Sequence, residues 1–302
     1  MIIGIDNGYG YIKTSNTISL NGVNKLISKP AILDNVLGVN GEYYTVGESR
    51  IPYLPDKTVT QEHYLGTLAA IAREMKLKGW NRGEVTLAQG LPYQFFDTQR
   101  EKFKKYMLQK PDVRFSYERA DYRVKLIDAL IYPQCLPIIC QIPGNGKKIG
   151  VDIGSGTVDV VVYLGNKLVR MESFTLPHSG TIFCMEQIKK AFVEKYSFAL
   201  EEWLIQEIMI NGIEGSDLPK EYHRFVEGII AGYIKNKIIL ELEGRGIDSR
   251  FMRMVFCGGG ASLVKRYGDY DSNLVTFEEN IHANATGYEN LTKALQQKNR
   301  TI

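Results

Sequence analysis

The chain has 302 residues, 44% hydrophobic and 24% charged, a composition that excludes intrinsic disorder and a length that fits two domains better than one core. Its 37 basic and 34 acidic residues are spread along the whole chain and leave a formal charge of +3, with no extended basic stripe, so direct binding of nucleic acid is not expected. No run approaches the roughly eighteen apolar residues of a membrane span, because Pro133 and Pro137 interrupt the best candidate.

Ile2, Ile3 and Ile5 already read as a strand with no basic leader before them, so a cytoplasmic location is expected. Strands are predicted at 2–6 and 9–15 around a glycine turn, and further extended segments near LISKP and YYTVGE. QEHYLGTLAAIAREMKLKGW places Leu65, Leu68, Ala69, Ile71, Ala72 and Met75 at helical spacing and should end near Gly79. EVTLAQGLP reads as a buried strand, and Asp97 as the cap of a helix from Thr98 to about Gln109. VRFSYE and YRVKLIDALIY return to strand, and YPQCLPII opens a new element at Pro133.

PGNGKK at 143–148 is turn-rich and charged, and marks a linker. Beyond it the pattern predicts strands at 149–153, 157–163 and 167–175, then helices at 180–196, 199–210 and 219–243. The third of these helices places Val226, Ile229, Ile230, Tyr233, Ile234 and Ile238 on one face. MRMVFCGGGASLVKRYG reads as strand, glycine turn and short helix, and NATGYENLTKALQQK as a closing helix. Cys135, Cys140, Cys184 and Cys257 have apolar neighbours and no CxxC spacing, the pattern of buried free thiols rather than of a disulfide or zinc framework.

One phrase occurs twice. MIIGIDNGYGYIK at the start and IGVDIGSGTVD at 149–159 align without gaps, so that Asp6 meets Asp152, Gly8 meets Gly154, Gly10 meets Gly156 and Lys13 falls opposite Asp159. Each copy predicts a strand, a sharp turn and a returning strand. A glycine-rich hairpin accounts for either copy alone. Two such turns, one per domain, each with an aspartate and two glycines, are better explained as a clamp that holds phosphates by backbone N–H groups. Asp6 and Asp152 beside polyphosphate call for a cation, for which Mg²⁺ held through water is the natural choice, and Lys13 supplies a point charge. A dinucleotide fingerprint and a P-loop are both absent: Asp159 stands where a third glycine is needed, and GNGKK lacks the upstream glycine and the hydroxyl.

These paired phrases resemble the two phosphate loops of the actin, sugar kinase and heat-shock chaperone ATPase superfamily. VFCGGGASLV is similar to its adenosine motif, and YPQCLPII and NATGYENL to its two connecting segments. The wording of DNGYGYIK, QGLP, DIGSGTVDVVV, GGGAS and ANATGY is most similar to the bacterial and plasmid actin-like proteins of the ParM/StbA type. The resemblance implies an α/β fold of two domains, 1–142 plus about 284–302 and 143–283, each a mixed sheet flanked by helices, with a nucleotide cleft between them. It implies ATP or GTP with Mg²⁺ as ligands.

Residue by residue, it assigns Asp6 and Asp152 to the metal side, and Asn7, Gly8, Tyr9, Gly10 and Lys13 to the first loop. Gly154, Ser155, Gly156 and Thr157 fall in the second loop, Gly180 at the start of the helix near residue 180, and Gly258, Gly259 and Gly260 in the adenosine turn. Gln134 stands where the family orients the attacking water. The activity implied is that of an ATPase coupled to polymerisation: a homopolymer filament that positions plasmid DNA through a DNA-binding adaptor, with no membrane partner. A small-molecule kinase, or a nucleotide-bound scaffold that does not polymerise, is the alternative.

Overall fold

The computed structural model describes residues 1–140, 142–165 and 167–300; Gln141, Asn166, Thr301 and Ile302, which the expected domain ranges take in, lie outside the described residues. The chain divides into two compact units, 1–138 with 282–302, and 139–281.

The first unit is built on β1 (Ile2–Asn7), β2 (Tyr11–Thr14), β3 (Ile18–Leu20), β4 (Val23–Leu26), β5 (Val36–Val39), β6 (Glu42–Val46), α1 (Glu62–Leu77), β7 (Arg82–Leu91), α2 (Tyr93–Met107), β8 (Asp112–Tyr117) and β9 (Ala120–Pro133). The strands form one mixed sheet in the order β3-β2-β1-β7-β9-β8-β5-β6-β4. β7 runs parallel to β1, and β9 parallel to β7; the other pairs are antiparallel. Ile3, Ile5 and Leu87 from the sheet meet Leu68, Ile71 and Met75 of α1 and Phe103 and Met107 of α2 in one buried core. α1 stops where predicted: Lys78 and Gly79 bond back to Met75 and Lys76, and Gly79 takes φ +68°, a conformation glycine adopts without strain.

Two expectations need correction here. α2 begins at Tyr93, with Pro92 rather than Asp97 at its N-cap, because extended Pro92 (ψ 141°) closes the first turn through its carbonyl to Phe95 N–H, which leaves Asp97 inside the helix. The extended segment expected near LISKP lies earlier, at β4, which ends at Leu26 once its pairing with β6 runs out at Tyr43.

After α3 (Leu136–Ile139) the second unit contains β10 (Lys147–Ile153), β11 (Thr157–Leu164), β12 (Lys167–Leu168), β13 (Phe174–Pro177), α4 (Thr181–Tyr196), α5 (Glu202–Asn211), α6 (Lys220–Ile234), α7 (Leu240–Glu243), β14 (Met254–Cys257), α8 (Ala261–Tyr267) and β15 (Val275–Phe277). Its sheet runs β12-β11-β10-β14-β15, with β13 also paired to β11. The single strand expected at 167–175 is broken by a 3₁₀ turn at Arg170–Glu172, so β12 and β13 pair separately with β11. The helix expected at 219–243 is continuous but carries a π turn at Lys235–Ile239 between α6 and α7, the usual way one extra residue is absorbed in a helix. Val226, Ile230, Tyr233, Ile234 and Ile238 are buried on it, and Ile229 is half-buried.

The chain re-enters the first unit with α9 (Ala283–Arg300), which packs on β1 and β7. Two glycines make that contact possible. A Cβ on Gly4 would stand 1.9 Å from the Ala285 carbonyl oxygen, and one on Gly90 would stand 2.1 Å from the Tyr288 hydroxyl. Each unit thus has a mixed sheet flanked by helices, as expected. The thiols depart from expectation at one place: Cys135, Cys184 and Cys257 are buried, but Cys140, at the end of α3, is exposed.

Candidate functional site

The two copies of the repeated phrase fold alike to the residue. In β1–β2, Ile5 pairs with Thr14, Asp6 with Lys13 and Asn7 with Ile12. In β10–β11, Val151 pairs with Val160, Asp152 with Asp159 and Ile153 with Val158, which is the same register displaced by one constant offset. The turns close alike too, through Gly8 N–H to Tyr11 O at 3.0 Å and Gly154 N–H to Thr157 O at 2.9 Å. Beyond each hairpin two further strands follow in parallel, β7 and β9 in one unit and β14 and β15 in the other. Gly8, Gly10, Gly154 and Gly156 are not among the described glycines with positive φ. At Gly154 a Cβ would stand 3.3 Å from Thr157 O.

In the first unit Asp6 is buried, and its carboxylate faces two donors, Lys13 Nζ at 3.5 Å and Gln134 Nε2 at 3.5 Å. Gln134 is brought there because its main-chain N–H donates to Leu91 O at the end of β7, next to β1 in the sheet. Asn7 points into the protein. Its Nδ2 donates to His63 O and Thr67 Oγ1, both at 3.0 Å, and its Oδ1 accepts from Asn21 Nδ2 at 2.7 Å and faces His63 Nδ1 at 2.7 Å. Tyr9 is buried as well, and its hydroxyl donates to Leu54 O. Asn7 and Tyr9 therefore anchor the turn through their side chains, while Gly8 and Gly10 form its backbone.

His63 is held well below the usual histidine pKa, first by burial and then by the Lys57 charge, so its ring is neutral. With Asn7 Oδ1 as acceptor, the ring proton sits on Nδ1; Nε2 is buried and has no hydrogen-bond partner among the described residues.

In the second unit the corresponding residue is Asp152, buried near the end of β10. Asp159, opposite it, is also buried, and its carboxylate accepts from Thr157 Oγ1 at 3.1 Å and Thr175 Oγ1 at 2.5 Å. Thr157 thus turns its hydroxyl toward Asp159. The glycine turn after β14 lies directly against this loop: Gly260 N–H donates to Ile153 O at 3.0 Å, and Gly258 takes φ +81° with its Cβ position 2.2 Å from Asp152 Oδ1. α4 closes the other side. Its first N–H groups, of Thr181 and Ile182, donate to Gly154 O and Ser155 O at 3.0 Å, and a Cβ on Gly180 would stand 2.3 Å from Ser155 O. The helix terminus therefore holds the loop rather than presenting these two N–H groups to an outside anion. Tyr233 hydroxyl fixes the approach by donating to Gly180 O at 3.0 Å. His178, at φ +55°, packs edge-on against Phe183.

These buried carboxylates suit a divalent cation taken through its waters, since hard oxygen donors are what Mg²⁺ prefers. Among the described residues no group of three or more His, Cys, Asp or Glu side chains that could hold a metal ion occurs.

Comparison with known proteins agrees with this geometry. The family model described as actin like proteins, N-terminal domain, matches residues 4–136, and that described as archaeal actin homologue MreB-like, C-terminal, matches residues 150–267, so that each takes in one of the paired hairpins. The chain belongs to the actin-like proteins.

Among solved structures, the actin-like protein Alp7A is 17% identical, with 100% of this chain and 98% of that chain covered and a TM-score of 0.75. The archaeal actin homologue Ta0583 is 18% identical over 97% of this chain and 99% of that one, with a TM-score of 0.73. A ParM from Clostridium botulinum, solved as a 15-stranded filament, is 17% identical over 97% and 99%, with a TM-score of 0.71. At these identities the likeness is one of fold. No curated protein matches the chain.

In this actin-like chain both connecting segments are anchored within the first unit. Cys135 follows Gln134 at φ +64°, a strained conformation for a residue with a Cβ, and its N–H donates to Asn284 Oδ1 at 3.3 Å. Gly287, one turn along α9, lies so close to Pro137 that a Cβ would stand 2.3 Å from the Pro137 Cβ. Sequence reading missed Lys57, His63, Thr67, Asn284 and Tyr233. The signal available for two of them was His63 and Thr67 one turn apart on a helix face otherwise read as apolar.

Proposed function

We propose that the chain is a nucleotide-dependent, filament-forming actin-like NTPase that takes ATP or GTP with Mg²⁺, hydrolyses it, and positions plasmid DNA through an adaptor protein. The observation that carries the reading is the pair of hairpins in one register, each with a buried aspartate before its glycine turn. The solved relatives support its parts: an archaeal actin homologue is known in complex with ADP, and Alp12 and a ParM as filaments.

In this reading the Gly8–Gly10 and Gly154–Gly156 turns lie against the phosphates, their shape held by the Gly8 and Gly154 N–H bonds within each turn, and Gly258, Gly259 and Gly260 lie against the nucleoside. A bound Mg²⁺ neutralises charge on the phosphates. Gln134 acts on water. Its Nε2 faces Asp6, which leaves Oε1 to accept a hydrogen bond from the water and aim its oxygen at the γ-phosphorus. An amide is too weak a base to take the proton, so Gln134 positions the nucleophile and turnover is slow. Bond formation from water oxygen to phosphorus and loss of the bridge to the β-phosphate give the diphosphate and inorganic phosphate.

Right-angle light scattering with Mg²⁺ and ATP, GTP or a slowly hydrolysed analogue tests this, with Asp152→Ala beside wild type. The expected trace rises with one nucleotide and later decays, in wild type alone. A flat trace in the presence of measurable nucleotide binding refutes the polymerising reading and leaves the kinase or scaffold.

A further inference from the structure

We propose that Lys57 is a positioning residue of the first phosphate loop, and that its buried ammonium strengthens binding of the nucleotide's phosphates rather than of its nucleoside; this rests on the nucleotide reading above. The residues between β6 and α1 form a strap that follows the Asn7–Gly10 turn. Ile51 N–H donates to Tyr9 O at 3.1 Å, Tyr9 hydroxyl reaches Leu54 O, and Lys57 Nζ donates to Asn7 O at 2.6 Å. Pro52 and Pro55 stiffen the strap, and Gln99 of α2 holds it by donating to Pro55 O at 3.2 Å. Lys57 is only 3% exposed, and its ammonium lies 5.2 Å from the Tyr9 ring centroid.

A buried ammonium is a costly way to hold a carbonyl, because a neutral donor makes the same bond without the desolvation of a charge. What the charge adds is a field. Salt screens a buried charge far less than an exposed one, and the Lys57 charge already reaches His63 at the base of the turn. Lys13, the charge expected to meet phosphate, faces the Asp6 carboxylate at 3.5 Å. Lys57 and Lys13 thus both lie beside a turn that, in the nucleotide reading, meets a polyanion. By gripping Asn7 O, Lys57 also fixes the Asn7–Gly8 peptide plane from which the loop departs.

The test measures the affinity of wild type, Lys57→Met and Lys57→Arg for Mg²⁺-ATP, Mg²⁺-GTP, adenosine and guanosine by isothermal titration, with thermal melts alongside. Lys57→Met should bind the preferred triphosphate about tenfold or more weakly, the scale of a lost charge-assisted contact. Its nucleoside affinity should be unchanged, and Lys57→Arg should restore most of the loss. If Lys57→Met does not fold, Lys57→Gln keeps a donor without the charge and should show the same split. Equal losses for triphosphate and nucleoside, or no loss at all, overturn the proposal. A wild type that binds no nucleotide overturns the nucleotide reading and this inference with it, and that result is visible before any variant is made.

Discussion

The three glycines at 258–260 make one turn, yet the structure gives them unequal duties. An alanine at Gly258 meets two penalties. The backbone is at φ +81°, where a Cβ costs about 1–2 kcal/mol. The Cβ would also stand 2.2 Å from Asp152 Oδ1 and 2.6 Å from Ile153 O, and forced overpacking of that kind adds about 1–3 kcal/mol. Together they span about 2–5 kcal/mol; at ~3.5 kcal/mol, the centre of that range, Tm of the second unit's transition falls by about 7–14 °C. At Gly260 the obstacles are two side-chain methyls, Ile153 Cγ2 at 2.3 Å and Thr181 Cγ2 at 2.8 Å, and the loss should be about 1–2 kcal/mol. At Gly259 a Cβ meets nothing within 4 Å, and the change should stay within about 0.5 kcal/mol. Differential scanning calorimetry on the three alanine variants reads this series directly. Nucleotide titration should show the same order, because the Gly258 clash displaces the Asp152 carboxylate. A Gly259→Ala variant that loses as much as Gly258→Ala would refute the packing argument and leave only the motif.

His63 predicts a pH dependence. Its folded pKa is depressed, so the unfolded chain binds the extra proton first; the stability it contributes is present above about pH 6.5 and is lost as pH falls, by up to about 1.4 kcal/mol per unit. Melts of wild type between pH 7.5 and 5 should therefore fall more steeply than those of His63→Gln, and parallel curves would count against a buried neutral ring. The thiols give a third check. Cys140 is exposed while Cys135, Cys184 and Cys257 are buried, with the Cys184 thiol pushed up to about 12 by burial. Ellman's reagent should find one accessible thiol in the native protein and four after denaturation; a native count above one means the buried three are open.

What was legible in the sequence was whatever it repeated or punctuated. Asp6-x-Gly-x-Gly and Asp152-x-Gly-x-Gly share spacing, and the shared spacing became a shared strand register. Gly79 ended α1 because no other residue accepts its φ so readily. The failures have local causes. Asp97 is a good cap, but Pro92, five residues closer to β7, starts the helix first. Arg170–Glu172 has nothing in its side chains to announce a 3₁₀ turn, and short strands such as Ile18–Leu20 and Val275–Phe277 are held by neighbours rather than by pattern. The supports of the turns were hidden for a different reason. Lys57 meets Asn7 fifty residues away, and Asn284 meets Cys135 across 149 residues, distances at which periodicity carries no information.

The return of α9 to the first unit has a consequence for synthesis. The second unit occupies one unbroken stretch, 139–281, whereas the first is complete only when His282 and the helix after it have been made. Until then Gly4 and Gly90 present a bare strip of β1 and β7 that Ala285 and Tyr288 will cover. At ~5–20 residues per second the ribosome holds that strip open for on the order of 10 s, while the later-made unit has all of its own strands in hand. The half of the molecule that is translated first is therefore the half that finishes folding last.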